Sequence, residues 1–228
     1  MEKTSDSRLR TLLLSRRCFL VDYDGLLVDS ERLHFRTWSE VLNREGRKRC
    51  KEVYAGGRER NTYQIVRQWL RPPSATLRDV SRIRATLFRT MVSERQLKVM
   101  PHATNVLRRL HSTGIVIVVS NSPAADVRRG LRACGLHQYV THAICWTKGK
   151  RAKPAPDLYR EAVRQAQLAR RQCLAFEDSI SGLTAAMRAG VEVVGVSKSA
   201  LVQSFCREKG LFYAEGLWGV LRCLPQPE

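Results

Sequence analysis

The chain has 228 residues, enough for one large domain or for a core with an insert. Hydrophobic residues make up 43%, ordinary for a globular protein, and no apolar run approaches the length of a membrane span. The net charge of +19 would attract anionic substrates, phosphate esters among them.

The basic excess also raises the question of nucleic acid. The basic residues are mostly arginines spread along the chain, a pattern that fits solvated helix faces. The densest run, Arg47-Lys48-Arg49-Cys50-Lys51, lacks interleaved aromatics. No specific nucleic-acid partner is therefore expected, and no membrane partner. The seven cysteines form no C-x-x-C pair, and Cys18 and Cys173 lie inside apolar runs. They read as reduced, mostly buried thiols of a cytoplasmic protein, with no disulfide or zinc framework.

Residues 1–17 are polar and basic, and the only apolar cluster, Leu12-Leu13-Leu14, is too short for a secretory segment. Residues 1–15 are expected to be a frayed N-terminal extension. The next stretch organises everything after it. Cys18-Phe19-Leu20-Val21 runs straight into Asp22-Tyr23-Asp24-Gly25. A short apolar run bounded by turn signals reads as a buried strand of a parallel sheet. Ligands of such sheets bind beyond the carboxyl ends of the strands. Asp22 would stand at that end, and Asp24 one step into the loop. Gly25 would let the backbone approach a ligand closely. A magnesium ion could take the Asp22 carboxylate and the Asp24 carbonyl, leaving the Asp24 side chain free for proton transfer.

The period then changes. Leu33, Trp38, Val41 and Leu42 recur at helical spacing, with Asp29 or Ser30 as cap. Helices are predicted over 61–70, ended by Pro72-Pro73, and over 76–97. From Pro101 the α/β pattern returns. Helix 104–111 precedes the strand 115–119, which ends in Ser120-Asn121-Ser122-Pro123. Helix 124–133 precedes a weaker strand, 139–145. A basic loop to Lys153 is followed by a helix that Asp157 would cap. Strand 173–176 ends in Glu177-Asp178-Ser179, helix 181–189 follows, and 191–196 is a last strand. The tail, 199–228, reads as a short helix with an irregular end. Strand alternating with helix argues a Rossmann-like parallel α/β sheet. Right-handed crossovers then bring Asp22, Ser120 and Asp178 to one edge.

Asp22-x-Asp24-Gly25, Ser120 at a strand end, Lys153 in Lys-Pro-Ala-Pro-Asp, and Glu177-Asp178 in Phe-Glu-Asp-Ser-x-x-Gly follow one another in order. Together they resemble the four motifs of the haloacid dehalogenase superfamily, over about residues 16–198. The resemblance is closest to the small-molecule phosphatases and beta-phosphoglucomutase, with a helical cap inserted after the first motif. It implies a core of 16–30 and 99–228 and an all-helical cap domain of 31–98. It implies a magnesium-dependent phosphatase acting on a small phosphorylated metabolite, a sugar phosphate, as a monomer. Asp22 would be the nucleophile and Asp24 the general acid and base. Gly25, Ser120, Asn121 and Lys153 would hold the phosphate. Asp22, Asp24 and Asp178 would hold Mg2+, with Glu177 assisting behind them. His34 and Arg60 would meet the substrate from the cap. Two alternatives stay open: an isomerase of the beta-phosphoglucomutase type, and a non-catalytic basic binding module on the same scaffold.

Overall fold

β1 (Cys18–Asp22) is buried along its whole length, as its unbroken apolar run requires. On one side it pairs in parallel with β2 (Ile115–Pro123), Leu20 opposite Ile117 and Asp22 opposite Val119. On the other it pairs with β4 (Cys173–Glu177), Cys18 opposite Cys173. β3 (His142–Trp146), β5 (Glu192–Val196) and β6 (Phe212–Ala214) complete a six-stranded sheet in the order β3-β2-β1-β4-β5-β6. Every pairing is parallel, so the strand ends share one edge. The computed structural model describes residues 2–41 and 74–225.

The period of two along each strand feeds two cores. Phe19 and Val21 of β1, with Val116 and Val118, face one side. There α1 (Glu2–Leu14), α4 (Ala103–Thr113), α5 (Ala124–Ala133) and α9 (Leu217–Cys223) cover them. Cys18 and Leu20, with Ile117 and Val119, face the other. There α6 (Asp157–Ala166), α7 (Ile180–Arg188) and α8 (Ala200–Glu208) close the layer. Ala162, Ala185, Ala186 and Ala189 are small enough to bring these helices close to the sheet. Phe19 is fully enclosed, and its removal to alanine would cost about 3–5 kcal/mol.

α2 (Ser30–Val41) and α3 (Ser74–Ser93) pack on each other. The segments leading into α2 and out of α3 are tied together: Asp29 N–H donates to Lys98 O and Met100 N–H to Leu27 O, both at 2.9 Å. The helix predicted over 61–70 lies outside the described residues, as does Arg60. The helix predicted over 76–97 stops earlier, at Ser93. Arg95 there takes the left-handed conformation, φ 59°, and the chain leaves extended towards Met100.

Other boundaries differ too. The first residues are not frayed: α1 buries Leu9, Leu12 and Leu13 in the core, so the cluster too short for a leader is a packing face. The tail is more regular than its sequence suggests, since α8, β6 and α9 add a sixth strand and a covering helix. The weak strand predicted over 139–145 begins at His142, after a single helical turn at His137–Tyr139. Asp157 does not cap α6; its carboxylate instead accepts from the Arg151 backbone and guanidinium. Of the two cap candidates for α2, Asp29 accepts from Arg32 N–H at 3.4 Å. The described cysteines are all free thiols, mostly buried. Among the described residues no helix is long and apolar enough to cross a membrane.

Candidate active site

Four separate strand ends meet at the carboxyl edge of the sheet. β1 delivers Asp22, β2 delivers Ser120, the loop after β3 returns Lys153, and β4 delivers Glu177 and Asp178. Lys153 is at the centre. Its ammonium, buried, donates to Asp22 Oδ1 at 2.6 Å, Glu177 Oε1 at 2.6 Å and the Val119 carbonyl at 2.7 Å. All three donors of the ammonium are thus used, which fixes it between the two carboxylates.

The loop that brings Lys153 there has its own anchor. Asn121 Oδ1 accepts from the Lys153 backbone N–H at 2.8 Å, and Asn121 Nδ2 donates back to the Lys153 carbonyl at 3.4 Å. Arg151, two residues earlier, is clamped by Asp157. The Asn121 side chain therefore serves to place the lysine.

Burial first, and then the Glu177 charge, push the Asp22 carboxyl well above the usual carboxylate range, while Lys153 pulls it down. Burial raises Glu177 as well, against the same lysine. Burial works against the Lys153 ammonium, but Asp22 and Glu177 outweigh it and hold it protonated above the ordinary lysine value. Asp22, Glu177 and Asp178 each offer an oxygen within 4.8 Å of the others, and all three are buried. The three buried carboxylates converge on one small space at the strand ends. That donor set, all hard oxygen, fits a small divalent cation.

Asp24 is handled differently. Ser30 Oγ donates to its Oδ1 at 2.6 Å, and Ser120 and Ser122 both donate to its Oδ2 at 2.8 Å. Three hydroxyls aim one carboxylate at the space above β1. The hydroxyl proton of Ser120 is thus given to Asp24, and its oxygen accepts from Ser122 N–H at 2.9 Å. Gly25 takes φ 82°, a conformation that favours glycine. Its N–H donates to Val28 O at 2.9 Å and closes a tight turn there.

Sequence reasoning missed several supporting groups. Tyr159, buried on α6, donates to Glu177 Oε1, and its ring lies 5.3 Å from the Lys153 ammonium. Its signal was the short distance to the lysine, Lys153-x5-Tyr159, which one helix turn converts into contact. Ser122 was visible only as a turn residue and Ser30 only as a cap. Gly182 stood in the sequence only as the last residue of the Phe-Glu-Asp-Ser-x-x-Gly motif, with no role given: a Cβ built there would lie 1.9 Å from Glu177 Oε2, so the missing side chain is the space the carboxylate occupies.

His34 lies on α2. Its ring stacks on Phe88 of α3 at 4.4 Å and 11°, and its Nδ1 is 3.0 Å from Arg84 Nη1. Burial first, and then Arg84, lower its pKa from 6.5 to about 4. Neutral, it accepts from Arg84 and fastens α2 to α3. A cleft of about 1220 Å³ opens beside Asp178, Ser179 and Gly25 and runs to His102 and Trp218.

The family model for haloacid dehalogenase-like hydrolases matches residues 16–190. Hexitol phosphatase A of Escherichia coli strain K12 is 30% identical over 190 residues, spanning 81% of this chain and 85% of that protein. Fructose-1-phosphate phosphatase YqaB of the same strain is 26% identical over 179 residues, spanning 78% and 94%. Among solved structures, CbbY from Rhodobacter sphaeroides in complex with phosphate has a TM-score of 0.66 at 22% identity, covering 79% of this chain and 86% of that one. That likeness is one of fold.

Proposed function

The chain belongs to the haloacid dehalogenase-like hydrolases, and we propose that it is a magnesium-dependent phosphatase of a small phosphorylated metabolite, a sugar phosphate. The observation that carries this reading is the Lys153 ammonium bridging Asp22 and Glu177 beside Asp178, with Asp24 two residues from Asp22. The names of two relatives, a fructose-1-phosphate phosphatase and a hexitol phosphatase, support the substrate class.

Asp22 attacks phosphorus and forms an aspartyl phosphate. A carboxylate approaches a phosphate dianion only when the charge between them is shielded. Lys153 supplies one positive charge and holds Asp22 in line. Asp22, the Asp24 carbonyl and Asp178 would hold Mg2+, with Glu177 behind them, and the ion would add the second shield. Asp24 protonates the leaving alkoxide and then takes the proton of the attacking water. An arriving phosphoryl group competes for the Ser120 hydroxyl, which loosens one of the three hydrogen bonds on Asp24. Residues 31–98 form the cap and 16–30 with 99–228 the core, and the paired crossings near Val28 and Val99 join them. His34 and Arg60 belong to the cap, where they would set the substrate.

Phosphate release from a panel of sugar phosphates, with magnesium and then with EDTA, tests this. Magnesium-dependent release that Asp22→Asn abolishes, with the fold unchanged, is the expected result. Turnover near wild type in Asp22→Asn would refute the nucleophile, and release unaffected by EDTA would refute the metal.

A further inference from the structure

The basic excess is not spread evenly. Residues 1–41 hold seven Lys and Arg against seven Asp and Glu, and residues 157–228 hold nine against eight. Residues 42–94 hold thirteen against five, and residues 95–156, which belong to the sheet and its covering helices, hold eleven against one. That segment is a single region of the fold: α4, β2, α5, β3 and the loop returning to Lys153. It builds the β3 end of the sheet, where β3 is the edge strand, while the β4-β5-β6 half comes from the balanced segment. A protein rich in arginine for solubility alone would carry the excess on both halves.

The one acid in the segment is already matched. Asp126 accepts from Arg89 of α3 at 3.0 Å. Arg128, Arg129 and Arg132 of α5 are exposed, and so is Lys148 beyond β3. Pro123, which caps α5, stands opposite Trp146 at the end of β3, and α5 packs on β3. In the same place Trp146 is 40% exposed. It is the one exposed large hydrophobic residue of this segment among those described, so no apolar face for membrane insertion accompanies the charge. A flat aromatic ring among forked guanidinium donors is the chemistry that takes unpaired bases and their phosphates.

We propose that the β3 edge, with Arg128, Arg129 and Arg132 of α5, Lys148 and Trp146, is a docking surface for a single-stranded polynucleotide. It lies outside the phosphoester site and does not depend on the reading of that site. The guanidinium groups would contact successive phosphates, and Trp146 would stack on one base.

The test uses the full chain and a fluorescein-labelled oligouridine of about 20 nucleotides, longer than one stacking platform covers. Anisotropy is followed across a salt series. Binding is expected with a log–log salt slope of about −3, as for roughly four neutralised phosphates on a single strand. Combined Arg128→Gln, Arg129→Gln and Arg132→Gln should weaken binding tenfold or more and reduce the slope to about −1. Trp146→Ala should weaken it roughly tenfold with the slope unchanged. Melting curves and phosphate release from a small ester should match wild type in both variants. Absence of binding at low salt, or wild-type binding by the arginine variant, overturns the proposal. Tighter binding of duplex, an unchanged Trp146→Ala, or binding to phosphatidylserine vesicles in place of RNA overturns the single-stranded assignment.

Discussion

Gly182→Ala isolates the packing behind the catalytic lysine. Gly182 is inside α7, and by helix propensity alone alanine would stabilise the helix by about 1 kcal/mol. The structure predicts the opposite. The new methyl would lie 1.9 Å from Glu177 Oε2, 2.0 Å from Cδ and 2.3 Å from Oε1. Carbon and oxygen need more than 3 Å, so the carboxylate must retreat by roughly 1 Å or more. It is fully enclosed, and Lys153 and Tyr159 occupy its other sides. Retreat breaks the 2.6 Å contact with Lys153 and leaves two buried charges imperfectly paired. Breaking such a pair costs about 3–5 kcal/mol, which exceeds the helix gain and leaves a net loss of about 2–4 kcal/mol. Lys153 also loses one of the two carboxylates that aim it, and misplacement of that order costs about a hundredfold in turnover. Urea unfolding and phosphate release measure the two effects. A Gly182→Ala protein as stable and as active as wild type would refute the account of Glu177.

Tyr159→Phe removes the hydroxyl from Glu177 Oε1 and keeps the ring; a loss of about 1–3 kcal/mol by urea unfolding is expected, with a lower kcat. Ser122→Ala leaves Asp24 with its Ser30 and Ser120 bonds, so kcat should fall less than tenfold in the phosphate-release assay, far less than for a variant of Asp24 itself. His34 titrates near 6.5 when unfolded and at about 4 when folded, so the unfolded chain binds the extra proton between those values. The stability that its neutral form contributes is full above pH ~6.5 and is lost as the pH falls towards 4, by about 1–3 kcal/mol. Urea midpoints against pH would show this, and His34→Gln should flatten that window.

The sheet was legible because its strands carry near-continuous apolar runs, Cys18-Phe19-Leu20-Val21 above all, and each ends in polar residues. Asp22, Ser120, Lys153, Glu177 and Asp178 were legible because each stands directly after such a run or beside prolines. The edge of the fold was less so. β6 is three residues long, Phe212–Ala214, too short for a period to show, and only its pairing with β5 defines it. α1 was misread because its apolar positions, Leu9, Leu12 and Leu13, are few, and helix spacing matters there more than run length. The Ser120 and Ser122 hydroxyls on Asp24 were illegible because only the crossovers bring those residues together, and the nearby Ser30 read as a helix cap. Gly182 was in the fourth motif, but its role shows only in what a side chain there would displace. The uneven charge was in the sequence from the start, but it acquires meaning only when the strand order assigns residues 95–156 to one end of the sheet.

The most direct test of the mechanism is to trap the phosphorylated carboxylate. The enzyme is quenched during turnover with borohydride, which reduces an acyl phosphate to an alcohol, and its peptides are read by mass spectrometry. The account predicts homoserine at position 22, dependent on substrate and absent in Asp22→Asn. Turnover with no reduced residue at 22, or with reduction at another carboxylate, would contradict it.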